Sequence, residues 1–119
     1  MTEIKLHVES VDDFFARAIG YAREIDRTGI VPDANHLSFT TLDQFLSVLT
    51  PKRWALLRKL RGMGPTSIRA LAGALARDYK AVHTDVTALL NADLIARDDK
   101  GRISVPWTRI SAEVELEAA

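Results

Sequence analysis

Residues 66–106 decide the fold, and they read TSIRALAGALARDYKAVHTDVTALLNADLIARDDKGRISVP. Apolar residues recur in the first part of this stretch at steps of three and four, which predicts two amphipathic helices. Ser67 precedes the first helix and Asp78 precedes the second, each in the position of an N-cap. Because only Ala76 and Arg77 separate the two patterns, we expect the helices to cross, as in a helix-turn-helix unit.

The turn between these helices lacks the glycine that usually stands there. The joint reads Ala-Leu-Ala-Arg-Asp, and Gly73 falls inside the first predicted helix. The pattern therefore predicts a helix-turn-helix unit whose turn departs from the usual sequence.

Two short apolar runs after the second helix predict a β-hairpin. Residues 94–97 and 102–105 read as strands, and the second run alternates polar and apolar residues. The turn between them is Asp-Asp-Lys-Gly, in which Gly101 suits a positive φ, and Pro106 ends the second strand. The predicted fold is a winged helix-turn-helix of the α+β class, mostly α with a small β part.

The same stretch resembles a known family. Residues 37–105 are similar to winged-helix transcriptional regulators of the MarR and ArsR type, and more narrowly to small prokaryotic winged-helix proteins that act as DNA-binding regulators or antitoxins. The motifs that carry the resemblance are LSFTTLDQFLSVLTPKRWALLRKL, SIRALAGALARDYKAVHTDVTALLNADLI and RDDKGRISVPW. The resemblance implies DNA binding, homodimers and, in some members, neutralisation of a toxin encoded alongside.

The N-terminal flank predicts a strand and a helix. Residues 3–9 alternate apolar and polar side chains, and Ser10 can cap the helix that follows. This helix carries an apolar stripe that either packs on its own core or, as we favour, serves a dimer. The predicted dimer contacts are Phe14, Phe15, Ala18, Ile19, Ala22 and Ile25.

The remaining segments are a connector, two helices and a last strand. Residues 30–39 are expected to form the connector, and Thr41 and Thr50 can cap the two helices, with Trp54 directed toward the core. Residues after Pro106 alternate again, which predicts a terminal strand. The expected segments are therefore 1–36, a dimerisation arm; 37–106, the winged helix-turn-helix; and 107–119, a C-terminal strand.

The two terminal strands carry complementary charges. Lys5 and His7 lie on the polar side of the first strand, and Glu113, Glu115 and Glu117 lie on that of the last. Because unpaired strand edges invite pairing, we expect the termini to hold a homodimer together.

Charge is distributed unevenly along the chain. The net charge is zero, but residues 51–105 hold eleven Lys and Arg against five Asp and Glu, a net charge of +6. Residues 1–50 hold four against eight, a net charge of −4. The basic excess therefore coincides with the predicted helix-turn-helix, where it can attract phosphates.

The amino-acid composition excludes several other classes of protein. The 119 residues include no cysteine, so neither a disulfide framework nor a zinc finger is expected. No apolar run approaches the ~20 residues of a membrane span, and the N-terminus does not resemble a signal peptide, so we expect a cytoplasmic protein. The histidines His7, His36 and His83 lie in different elements without ligand spacing. We therefore expect no metal, cofactor or catalytic group, and no enzyme activity.

The predicted site is the exposed side of the second helix, together with cations around it. Polar groups there suit base edges and phosphates in the major groove of double-stranded DNA. The predicted readers on this helix are Tyr79, Lys80, His83, Thr84 and Thr87; for Tyr79 the alternative is packing on the preceding turn. The predicted contacts to the DNA backbone, including those from the wing, are Ser67, Arg69, Arg77, Arg97, Lys100 and Arg102. The alternative for the wing is a solvated turn.

Two functions from different classes fit this sequence. The first is a sequence-specific DNA-binding regulator that acts as a homodimeric repressor. The second is an antitoxin-type interaction module that binds a partner toxin. The polar surface of the second helix favours the first, because a pure interaction module would carry apolar residues there.

Overall fold

The computed structural model describes residues 2–29, 35–114 and 116. The protein belongs to the α+β class. It divides into two compact units: one contains Glu3–Phe45 and the chain from Arg109 onward, and the other contains Leu46–Thr108.

The first unit is built on a parallel three-stranded sheet. Its strands are β1 (Glu3–Val8), β2 (Asn35–Phe39) and β5 (Arg109–Val114), in the order β2-β1-β5. The helix α1 (Val11–Thr28) connects β1 to β2, because parallel neighbours need a crossover rather than a hairpin. The two terminal strands are thus partners within one chain.

This sheet corrects two sequence-based expectations. The connector expected over residues 30–39 is wrong in its second half, where β2 pairs with β1; residues 30–34 lie outside the described residues. The predicted segment boundary at residue 36 falls within this strand. The terminal strands also do not offer β1 to a second molecule, since β2 and β5 occupy both of its edges.

One of the predicted charge contacts between the terminal strands lies within the chain, and it is an ion pair only when His7 is protonated, while Lys5 stands opposite Ser111. In the β1–β5 register His7 stands opposite Glu113, and His7 Nδ1 lies 3.7 Å from Glu113 Oε2. The other two predicted acids, Glu115 and Glu117, lie outside the described residues.

The bounds of α1 agree with its sequence signals. Ser10 Oγ accepts a hydrogen bond from the backbone N–H of Asp13 at 3.1 Å, and Gly29 ends the helix with a φ of 72°. All eighteen residues of α1 are within the described part of the chain, and none of them is buried. The helix therefore contributes little to an apolar core.

The second unit contains most of the helices and a hairpin. Its elements are α2 (Leu42–Val48, which spans the division between the units), α3 (Pro51–Met63), α4 (Ile68–Leu75), α5 (Tyr79–Asn91), β3 (Ala96–Arg97) and β4 (Ile103–Ser104). The core of this unit is built from residues in these elements or directly beside them, and it includes Leu49, Leu56, Leu57, Leu60, Leu71, Val82, Val86, Leu89, Leu94 and Ile103. Trp54, predicted to face the core, is half-buried.

The turn between α4 and α5 is made without glycine. Ala76 adopts the left-handed conformation, with φ 52° and ψ 44°, and its N–H donates to Gly73 O at 3.1 Å. Asp78 then caps α5 by accepting from the N–H of Ala81 at 3.2 Å. An alanine thus takes the backbone conformation for which most helix ends use glycine.

The hairpin is fixed to the segment that precedes α4. Thr66 and Ile103 exchange two backbone hydrogen bonds, of 3.0 and 2.8 Å. The predicted turn is confirmed, since Gly101 has a φ of 80°, but β3 and β4 are shorter than the four-residue strands expected. The pairing with Thr66 links the hairpin directly to the start of α4.

Candidate nucleic-acid interface

The helix α5 has one buried and one exposed side. Val82, Val86 and Leu89 are fully buried, which orients the helix in its unit. The predicted readers all lie on the exposed surface, and they are Tyr79, Lys80, His83, Thr84 and Thr87. The structure therefore places these five polar side chains together on one accessible surface.

Two of these side chains hydrogen-bond to their own helix. Thr84 Oγ1 donates to Lys80 O at 3.1 Å, and Thr87 Oγ1 donates to His83 O at 2.9 Å. Such bonds use the hydroxyl proton and leave an acceptor lone pair and a methyl group available. These threonines can contact a thymine methyl without losing an internal bond.

Two residues near the start of α4 were predicted to contact the DNA backbone. Ser67 caps α4, since its Oγ accepts from the N–H of Ala70 at 3.0 Å. Arg69 is exposed, and its guanidinium carbon lies 5.1 Å from the ring centroid of Tyr79 on α5. Ser67 is therefore occupied by the fold, whereas the guanidinium of Arg69 lies over an aromatic ring.

Arg77, also predicted to contact DNA, belongs to an ion cluster. Its Nη2 donates to Asp85 Oδ2 at 2.8 Å, while Arg53 Nε donates to Asp85 Oδ1 at 3.0 Å. Burial alone would raise the pKa of Asp85, but hydrogen bonds from Arg77 and Arg53 outweigh it and hold the pKa below its ordinary value. The Arg77 side chain is only 23% exposed, so it ties the turn before α5 to α5 itself more than it faces solvent.

The wing turn is organised by Asp98. Its carboxylate accepts from the backbone N–H groups of Lys100 and Arg102, at 3.0 and 2.8 Å, and from Arg102 Nε at 2.8 Å. Arg97 and Lys100 are exposed, and the described residues show no ion pair for either of them. Of the three predicted wing cations, Arg102 alone has its charge offset by a neighbour.

The predicted dimer contacts on α1 remain accessible. Phe14, Phe15 and Ile19 are 41%, 56% and 52% exposed. Ala18 and Ala22 are also exposed, and Ile25 is half-buried. The stripe is therefore an apolar surface within the first unit.

A polar cluster on the first unit was not predicted. His7 Nε2 lies 2.7 Å from His36 Nδ1, and Tyr21 Oη lies 2.8 Å from His36 Nε2. Beside them Arg17 pairs with Glu9 at 2.8 Å. The alternation of β1 placed His7 on a polar face, but its partners depend on the β1–β2 register, which local sequence does not show.

Two further features are absent from the described residues. No helix among them is long and apolar enough to cross a membrane. Their His, Asp and Glu side chains also form no group of three that could hold a metal ion.

Comparison with known proteins assigns the chain to a family. No curated protein and no solved structure matches it. The model of the HVO_A0114 family matches residues 48–112, which is more than half of the chain and includes α3, α4, α5 and the hairpin. On this match, the chain belongs to the HVO_A0114 family.

Proposed function

We propose that residues 37–106 form a winged helix-turn-helix that binds double-stranded DNA with α5 in the major groove. The protein would then be a cytoplasmic transcriptional regulator of the MarR/ArsR type that acts as a homodimeric repressor and catalyses no reaction. The exposed polar row on α5, opposite its three buried apolar residues, is the observation that carries this proposal.

The chemistry of this row suits a base-reading surface. Lys80 and His83 can donate hydrogen bonds to guanine, and the threonine methyl groups can contact thymine. The major groove, ~12 Å wide, admits one α-helix. The net charge of +6 over residues 51–105 adds the phosphate attraction that duplex binding needs.

The wing supplies the second contact in this proposal. Arg97 and Lys100 extend from the hairpin without ion-pair partners among the described residues. Each cation that meets a phosphate steepens the fall of log affinity with log salt by ~0.9. Lys100→Ala should therefore reduce this slope by about one unit, and Arg102→Ala by less because Asp98 already offsets its charge.

Selection from a random duplex library, followed by titration of the selected duplex, tests the function. Lys80→Ala and His83→Ala should each weaken specific binding by ~1–3 kcal/mol without unfolding the protein, because both residues are exposed. Lys5→Ala is the matched control, since it removes an exposed lysine from the first unit. Equal losses for Lys80→Ala and Lys5→Ala would refute the assignment of α5 as the reader.

One observation favours a second candidate function. The exposed stripe of α1 offers a protein partner an apolar surface that the described residues of the first unit leave open. A second copy of the chain is the partner that we propose, and a cognate toxin, as in antitoxins, is the alternative. Both roles are compatible, since an antitoxin that represses its own operon binds DNA and protein.

A further inference from the structure

Three side chains form a contact row across the surface of α4 and α5, which is distinct from the polar row of α5. They are Arg69, Tyr79 and His83. The guanidinium carbon of Arg69 lies 5.1 Å from the centroid of the Tyr79 ring. Tyr79 also meets His83, with ring centroids 5.9 Å apart and planes inclined by 46°. The row thus joins the second residue of α4 to the first turn of α5.

The position of this row follows from the local fold. Tyr79 and His83 are four residues apart on one helix, so their side chains lie on the same face. The three-residue turn 76–78 and the Asp78 cap fix the first turn of α5 beside the start of α4. Tyr79 is 44% exposed, so its ring is a surface platform rather than part of the core.

The contact that Arg69 makes with Tyr79 differs from the contacts of Arg77 and Arg102. The ion pairs of the described residues engage Arg77 and Arg102 with carboxylates, whereas Arg69 has none. A guanidinium held over an aromatic ring is attracted through its charge rather than through its N–H donors, so a phosphate can still accept two of them. Arg69 is therefore restricted in position while its hydrogen-bonding capacity and its charge remain available.

We infer that Tyr79 is a positioning residue that holds Arg69 for a phosphate of the DNA backbone, instead of reading a base itself. This inference rests on the proposed function and changes the role of Tyr79 within it. Restricting a long side chain before binding removes part of the entropy cost of the contact. In helix-turn-helix complexes the first helix crosses the DNA backbone, which is where Arg69 on α4 would lie.

Three substitutions separate positioning from base reading. Tyr79→Phe keeps the ring and should change the dissociation constant for duplex DNA by less than twofold. Tyr79→Leu removes the platform and should weaken binding roughly two- to fivefold, the fold-change that corresponds to an exposed cation–π contact. Because phosphates carry no sequence information, Tyr79→Leu should weaken binding to the selected duplex and to an unrelated duplex equally.

A double-mutant cycle provides the decisive measurement. In an Arg69→Ala background, Tyr79→Leu should have no further effect, because the group that Tyr79 positions is gone. The salt slope should fall by about one unit in Arg69→Ala and stay unchanged in Tyr79→Leu, which removes no charge. The Arg69 side-chain protons should also lose their ring-current shift in the NMR spectrum of the free Tyr79→Leu protein.

The outcomes distinguish this inference from the proposed DNA-binding function on which it rests. A parent protein that binds no duplex overturns both. A parent that binds, with Tyr79→Leu and Arg69→Ala additive, overturns the positioning role alone. A loss confined to the selected duplex, in either Tyr79 variant, would instead make Tyr79 a base reader. A loss in Tyr79→Phe on both duplexes would make its hydroxyl a phosphate contact, which also overturns the positioning role.

Discussion

The imidazoles of His7 and His36 share a hydrogen bond of 2.7 Å between Nε2 and Nδ1, and their ring centroids lie 4.9 Å apart. One nitrogen of this bond must donate and the other must accept, so the bond requires that at least one ring is neutral. Tyr21 on α1 contacts the second nitrogen of His36. The protonation state of this pair therefore affects how α1 is held on its sheet.

We predict that the free energy of unfolding decreases as pH falls below about 6.5. Burial lowers the pKa of His7 and of His36 from their ordinary value of 6.5, and the Arg17 guanidinium lowers both further. As pH falls, the unfolded state therefore binds protons before the folded state does. The contribution of the two imidazoles to the free energy of unfolding is fully present above pH 6.5 and is lost as the pH falls below it. Urea titrations at pH 7.5, 6.5 and 5.5 measure the effect.

A variant lacking both imidazoles provides the control for this pH dependence. His7→Gln/His36→Gln should show a smaller decrease between pH 7.5 and 5.5 than the parent protein. The aspartates with lowered pKa values, Asp85 and Asp98, titrate below 3.8 and do not interfere. An identical pH dependence in the double variant would show that other groups cause it.

The turn between α4 and α5 allows a stabilising substitution. Ala76 has a φ of 52°, a conformation that costs an L-residue roughly 1–2 kcal/mol and that glycine adopts without strain. Against this gain, glycine loses about 0.5–1 kcal/mol more chain entropy on folding than alanine does. Ala76→Gly should therefore raise the free energy of unfolding by about 0.5–1 kcal/mol. Gly101→Ala, at φ 80° in open space, should lower it, and a loss of stability in both variants would contradict the argument.

The ion cluster around Asp85 should contribute to the stability of the second unit. Asp85→Asn keeps the shape of the side chain but leaves Arg53 and Arg77 without their shared carboxylate. Because these side chains are only 14–23% exposed, we expect a loss of roughly 1–3 kcal/mol in urea denaturation. Asp99→Asn removes an equal charge from an exposed turn, and its effect should stay within about 0.5 kcal/mol.

Local signals were sufficient to predict the helices. Ser10, Thr50, Ser67 and Asp78 were all predicted as caps, and each accepts a hydrogen bond from a backbone N–H three residues later. A cap depends on residues within one turn, so the sequence contains the whole interaction. The exposed row of α5 was predictable for a similar reason, since helical periodicity separates its two sides.

Contacts between distant residues were not predictable in this way. The strand β2 follows a stretch with Pro32 and Asp33, which reads as a connector, and it becomes a strand only by pairing with β1. The Arg53–Asp85 pair likewise joins residues 32 positions apart. In both cases the partner is set by the register or packing of separate elements.

The exposed stripe of α1 leads to the last prediction, which concerns the homodimer. Deleting the N-terminal segment would not test the dimer cleanly, because it would also remove β1 from the centre of the sheet. Point substitutions on α1 avoid this problem, because Phe15 and Ile19 are more than half exposed and the monomer does not depend on burying them. The stripe can thus be changed while the sheet is kept.

Phe15→Gln/Ile19→Gln should convert the proposed homodimer to a monomer at micromolar concentration, as measured by sedimentation velocity. Large side chains at the centre of an interface often contribute 2 kcal/mol or more each, which is roughly thirtyfold in the dissociation constant. Leu46→Gln is the matched control, since Leu46 is an apolar side chain on α2 that is 53% exposed, and it should leave the dimer intact. A monomeric parent protein, or a dimer that persists in the double variant, would exclude α1 as the dimerisation surface.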